Sequence, residues 1–230
     1  MSAAIARIPT GPAANGGESG AGQRPRRHEA EDIRRRQLIE ATVEAIAEVG
    51  FHAATILEIA GRAGVSAGLV AFYFRDKNGL LEATLRWLAV QLSVNLIVLQ
   101  RAAATPRDRL AAVVDATLGP SQFEARTASV WLAFWAQVPI VPRFARIQRI
   151  YEGRLLSNLR AGWRAHPALA RLDRAESTRL AETTAAMIDG LWLRATLSAD
   201  PGAGPAAHAT ALAFVDTRLA LLDLALSTRG

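Results

Sequence analysis

Tryptophans at one-turn spacing are the residues of this chain best placed to do chemistry. In Trp131-Leu132-Ala133-Phe134-Trp135, a helix sets Trp131 and Trp135 one turn apart with Phe134 beside them. Trp192 follows Asp189 by one turn, and Tyr151 adds another ring. Ring faces attract a cation and a carboxylate balances its charge. Trp131, Phe134, Trp135, Tyr151, Asp189 and Trp192 could therefore cage a quaternary ammonium ligand. The same stripe equally suits an aromatic core, the commoner fate of helical Trp and Phe. Both readings are open from the residues alone.

Other chemistries are poorly provided for. The chain has no cysteine, and its four histidines, His28, His52, His166 and His208, are scattered. Thiolate sites and a histidine-rich metal site are not expected. No nucleophile elbow, phosphate loop or close acid–base pair is recognisable, so no catalytic residue, metal or cofactor is expected. The net charge of +6 permits a polyanionic partner, with Lys77 the only lysine among the basic residues. Between Arg24 and Arg86, however, ten basic residues face nine acidic ones, so charge is a minor argument for nucleic acid. No run of about 18 uninterrupted apolar residues exists, so no membrane span is expected. The start of the chain lacks a secretory pattern, and a cytoplasmic location is the expectation.

Residues 1–30, rich in Gly and Pro, read as a disordered tail ending in the basic arm Arg24-Pro25-Arg26-Arg27-His28. That arm suits either DNA or solvent. From Ile33 helical periodicity dominates, with Leu38, Thr42, Ala45, Ile46 and Val49 on one face and Gly50 as a stop. Thr55 and Glu58 form a capping-box pair for a short helix ending at Gly64. Ser66 caps a second short helix over Ala67–Tyr73, and Asp76 begins a longer one. Proline-punctuated helical segments follow, without strand alternation. The fold class is all-α, with a helix-turn-helix domain over 31–77 and a ligand-binding and dimerisation bundle over 78–230. In the last helix Leu212, Val215, Leu219, Leu222 and Leu226 recur at 3-4 spacing, which suits either a dimer seam or a core-facing stripe.

Two short helices joined tightly through Ala63-Gly64-Val65-Ser66 make a helix-turn-helix whose second helix would enter a DNA major groove. Gly64 supplies the left-handed backbone the turn needs. The run Thr55-Ile56 … Ile59-Ala60 … Ala63-Gly64-Val65-Ser66 … Gly68, then Phe72-Tyr73-Phe74 … Lys77 … Leu80-Leu81, resembles the signature of TetR/AcrR-type repressors over about Arg34–Leu85. The resemblance implies that Thr55, Tyr73 and Lys77 bind phosphates. It also implies that Ser66, Ala67 and Gly68 approach the DNA, with Leu69 and Phe72 on or near the reading face. Phe72 stands where a Tyr or His is common, and Ala71 where a polar residue is common. Phe72 could touch a thymine methyl or turn into the core. Arg34 and Arg36, in a triplet read as opening the first helix, could also meet phosphates, since a helix N-terminus otherwise disfavours cations.

Further stretches, including Trp131–Ala136, Arg154–Leu159 and Ile188–Ala195, resemble the choline-responsive branch of this family, which controls glycine betaine synthesis. That resemblance implies a homodimer on double-stranded operator DNA, with choline or another quaternary amine as effector. The alternative is a regulator of efflux or catabolic genes answering another cationic or hydrophobic ligand.

Overall fold

The computed structural model describes residues 24–170 and 174–228. Ten α-helices and one 3-10 turn run in the order α1 (Arg24–Ala53), α2 (Ile56–Arg62), α3 (Ala67–Phe74), α4 (Lys77–Ala102), α5 (Pro106–Leu118), the turn Pro120–Gln122, α6 (Ala125–Gln137), α7 (Pro142–Arg164), α8 (Pro167–Ala170), α9 (Arg174–Thr196) and α10 (Ala203–Ser227). The described residues contain no strand, in keeping with the all-α expectation.

The first three helices form the compact N-terminal head. Ser66 accepts from the Leu69 N–H and Thr55 from the Glu58 N–H, each oxygen satisfying a free donor of the first helical turn. Only half of the expected capping box at Thr55 forms. The Glu58 carboxylate turns to Arg62 at 2.7 Å, and the Thr55 N–H bonds Ala53 instead. Gly64 takes φ +64, the left-handed value its position in the turn demands. Gly50 also has positive φ and a non-helical backbone, so the first stretch of α1 stops there as expected, and a short helical piece continues to Ala53 beyond the kink.

α1 begins at Arg24, inside the segment read as tail, while residues 1–23 lie outside the described residues. The arm Arg24–His28 falls in the first turns of α1, and its side chains also lie outside the description. The arginine triplet therefore sits in mid-helix, so the dipole argument for it does not hold. Arg35 has a structural task. It donates to the Tyr73 carbonyl at 2.9 Å and lies 5.3 Å above the Phe74 ring, tying α1 to α3.

α5 is the axle of the C-terminal bundle. Thr105 and Asp108 close a full capping box at its start, and Pro106 fits its first turn. Leu110, Val113, Val114 and Leu118 are all buried, because α4, α7, α9 and α10 pack around this helix. Gly162 of α7 allows close approach: a Cβ there would come within 2.8 Å of Leu110. Trp163 is fully buried and donates to Thr184 at 3.2 Å, joining α7 to α9.

α4 is long and apolar enough for a membrane span by length and composition. Its stripe Leu80, Leu81, Leu85, Leu88 and Leu92 is instead buried against the rest of the fold, as the core helix of a bundle would be. The leucine stripe of α10 is likewise core-facing. Val215 and Leu219 are buried, and Leu212 and Leu222 are half-buried against the same core. The opposite face, with Leu221 and Leu224, is exposed. A seam built on Val215 and Leu219 is therefore ruled out.

Two glycines of the head have opposite expected behaviour. A Cβ at Gly61, inside α2, meets nothing within 4 Å, so Gly61→Ala should stabilise by about 0.5–1 kcal/mol through helix propensity. Gly64→Ala meets no neighbour either but must adopt the left-handed backbone, costing about 1–2 kcal/mol. Urea midpoints at one fixed protein concentration should move in opposite directions for the two variants.

Candidate functional site

The outer face of the head gathers most of the residues singled out for DNA. Thr55, Ser66, Gly68 and Phe72 are exposed, and Ala67, Leu69 and Tyr73 are half-buried along α3. Phe72 is 73% exposed, so it does not turn into the core. Its ring meets the edge of Tyr73 at 5.2 Å, which restrains it. A Cβ at Gly68 would find only Ser66 Oγ, at 3.8 Å. Packing within the chain does not demand a glycine there, whereas close approach by a partner would. Arg34 and Arg36 are exposed on α1, with Arg34 bonded to Gln37 at 2.9 Å.

Lys77 has structural partners within the chain. Its ammonium donates to the carbonyls of Phe51 and His52, at 3.3 and 3.2 Å, capping the end of α1. Partial burial lowers its pKa below the ordinary lysine value. Two carbonyls take two of its three N–H groups, leaving one for any phosphate.

The second site lies in the bundle. Trp131, Trp135, Tyr151, Asp189 and Trp192 line one small cavity of about 30 Å³, with Leu92, Thr117, Gln122 and Ile188 completing the wall. Trp135 and Trp192 meet edge-to-face at 4.9 Å, and Trp131 lies 5.9 Å from Tyr151. Trp192 donates to the Gln122 carbonyl at 3.1 Å, whereas the Trp135 indole N–H is buried without an acceptor. Asp189 keeps one side in solvent. Yet the surrounding bundle strips water from its carboxyl and Glu152 adds negative charge, pushing its pKa up to about 6. Burial, with Asp189 nearby, also raises the pKa of the Tyr151 hydroxyl.

Phe134 is the exception among the expected cage residues. It is fully buried on another face of α6, meeting Phe144 at 5.4 Å and Phe51 of α1 at 5.8 Å. Adjacent helical residues point about 100° apart, so Phe134 and Trp135 do not share one cavity. Phe134 serves the joint between head and bundle. Gln122, Glu152 and Phe51 escaped sequence reasoning. Gln122 sits in an aperiodic turn and offered no signal, whereas Glu152 follows Tyr151 directly.

Comparison with known proteins gives this geometry a context. Residues 38–84 match the model of bacterial regulatory proteins of the tetR family. Residues 106–220 match that of the BetI-type transcriptional repressor C-terminal region. The chain is 46% identical over 193 residues to the HTH-type transcriptional regulator BetI of Escherichia coli O139:H28, covering 82% of this chain and 95% of that one. The figures are the same for BetI of Shigella flexneri serotype 5b.

The chain belongs to the TetR family.

As a TetR-family protein it is a DNA-binding transcriptional repressor that acts on operator DNA as the homodimer typical of the family. Two solved structures share the fold. A regulator from Pseudomonas aeruginosa PAO1 superposes with a TM-score of 0.73 at 24% identity, covering 82% of this chain and 91% of that one. A regulator from Saccharomonospora viridis, solved in complex with choline, gives 0.72 at 21% identity, covering 80% and 96%.

The sorting of α6 side chains is testable. Phe134→Ala should cost about 3–5 kcal/mol, as for a large buried aromatic. Trp135→Ala, beside an existing cavity, should cost less. Chemical denaturation of both variants checks the order, and equal losses would mean the two rings share one core.

Proposed function

We propose that this repressor responds to choline or a close quaternary amine and controls genes for choline and glycine betaine metabolism. The observation that carries the reading is the convergence of three tryptophans, Tyr151 and Asp189 on one cavity. Aromatic faces and one carboxylate suit a permanent cation. The Trp135 N–H, which lacks an acceptor, suits a ligand oxygen such as a hydroxyl. The similarity to BetI and the choline complex of the S. viridis protein support the same ligand class.

On the DNA side, Thr55, Tyr73, Arg34 and Arg36 are proposed phosphate contacts, with Lys77 contributing its remaining N–H. Ser66, Ala67, Gly68, Leu69 and Phe72 form the proposed groove-facing surface. Dimerisation is proposed to use the exposed faces of α9 and α10, including Leu193, Leu221 and Leu224, with Leu197 just past the end of α9. Together these define a head of residues 31–77 and a sensor and dimerisation unit of 78–230.

Coupling follows from the size of the cavity. About 30 Å³ holds a water molecule but not a trimethylammonium group, so entry must part the walls. α6 is one wall, and it also carries Phe134 against Phe51 of the head. A ligand that favours the parted state shifts α6, and with it α1 and the recognition helix. Two heads must match half-sites about 34–36 Å apart, so a small tilt costs affinity.

A second reading, a larger hydrophobic effector of an efflux or catabolic regulator, is favoured by one observation. A groove of about 840 Å³ opens beside Phe123, Leu132 and Pro205.

Choline at millimolar concentration should weaken operator binding in an anisotropy titration, and Trp131→Ala or Trp192→Ala should abolish the response while DNA affinity persists. The cation prefers ionised Asp189, so the choline response should be full well above pH 6. It should fade as pH falls through about 6. Asp189→Asn should weaken it at neutral pH and remove the carboxylate-linked pH dependence. A response to lipophilic drugs and none to choline would move the assignment to the second reading.

A further inference from the structure

We propose that this repressor reads its operator through thymine methyl groups, with Phe72 as the residue that sets the position read. The inference rests on α3 being the helix that enters the major groove.

The outward stripe of α3 is Gly68, Ala71 and Phe72, at the i, i+3, i+4 spacing of one helical face, and all three are exposed. Val70 and Phe74 point inward to the core, and Ala67 and Leu69 flank the stripe half-buried. The exposed stripe carries no side-chain donor or acceptor. Tyr73 has the only polar side chain within α3, and it is half-buried with its ring against Phe72. The remaining nearby polar groups sit at the helix ends. Ser66 Oγ accepts from the Leu69 N–H, and Arg75 follows the last turn with φ +70.

This arrangement limits what the helix can distinguish. In the major groove base pairs differ in their donors and acceptors and in the 5-methyl group of thymine. Bidentate contacts to guanine or adenine need Arg, Lys, Asn or Gln, none of which lies on the stripe. What an apolar stripe can sense is the methyl group. Gly68 and Ala71 let the backbone come close, and the Phe72 ring, held by Tyr73, projects farthest. Phosphate contacts outside α3 would supply affinity without sequence information.

Deoxyuridine tests this directly, because it keeps every hydrogen-bonding group of thymine and lacks only the methyl. The probe is a duplex selected by the full-length protein from a random-sequence pool, followed by anisotropy at fixed salt. Replacing one thymine per half-site in turn should reveal a position where affinity falls about fourfold per methyl. Losing the methyl in both half-sites should cost about tenfold or more. Phe72→Ala should weaken binding to the thymine duplex, flatten the deoxyuridine effect at one position, and leave the salt dependence unchanged. Phe72→Leu should restore part of the methyl effect. Phe72 is exposed, so its variants should unfold at the wild-type temperature.

Deoxyuridine effects below twofold throughout would overturn the inference while the DNA-binding reading stands. A methyl effect fully retained in Phe72→Ala would overturn the role of Phe72. Failure to select any duplex would remove the parent reading with it.

Discussion

The aromatic joint between head and bundle is the constraint on which the remaining arrangement depends. Phe51, at the end of α1, meets Phe134 of α6 and Phe144 of α7 edge-on, and Phe134 and Phe144 meet each other in the same manner. Three rings packed this way resist sliding, because each edge is seated against a face. Lys77 reinforces the joint by capping the α1 carbonyls at Phe51 and His52 from the first residue of α4. The end of α1 is thus held by both α4 and α6. A head held at that end cannot shift independently of the bundle.

α6 touches both halves, and its faces have different neighbours. Phe134 belongs to the joint, while Trp131 and Trp135 line the small cavity. The proposed coupling would run through this single helix of thirteen residues. The cavity is correspondingly underfilled and imperfectly satisfied. It holds a buried indole N–H without an acceptor and a carboxyl pushed toward neutrality. A buried N–H left without an acceptor costs stability in the empty state, and the solvent-touching carboxylate beside it, with its raised pKa, suits a polar or cationic guest.

The reading head makes a different compromise. Its outer helix is nearly devoid of polar side chains, although exposed apolar groups are disfavoured on a surface that meets only water. The inner face of the same helix is anchored by Val70, Phe74 and the Arg35 bridge. α3 is therefore short but well held, which lets its exposed stripe answer to a partner and not to packing.

Local signals in the sequence determined α2, α3 and the start of α4, but not where α1 begins. The N-caps at Thr55, Ser66 and Asp76 and the left-handed Gly64 act within a turn of their own positions, so residue type and spacing sufficed. The resemblance of the head to a known family was legible for the same reason. Four matters needed the tertiary structure. Only the packed bundle brings Tyr151, Asp189 and Trp192 to Trp131 and Trp135, since these residues come from three separate helices, α6, α7 and the more distant α9. Only the rotation of α6 sends Phe134 to the joint, since a stripe of neighbouring aromatics does not say which neighbour each will meet. Only the rotation of α10 turns its leucine stripe inward, since core and dimer seams share one periodicity. And Lys77, expected at a phosphate, also bonds α1 carbonyls about 25 residues earlier in the chain. Side-chain identity and local geometry are carried by sequence, whereas the partner of an apolar face or a charge is chosen by long-range packing.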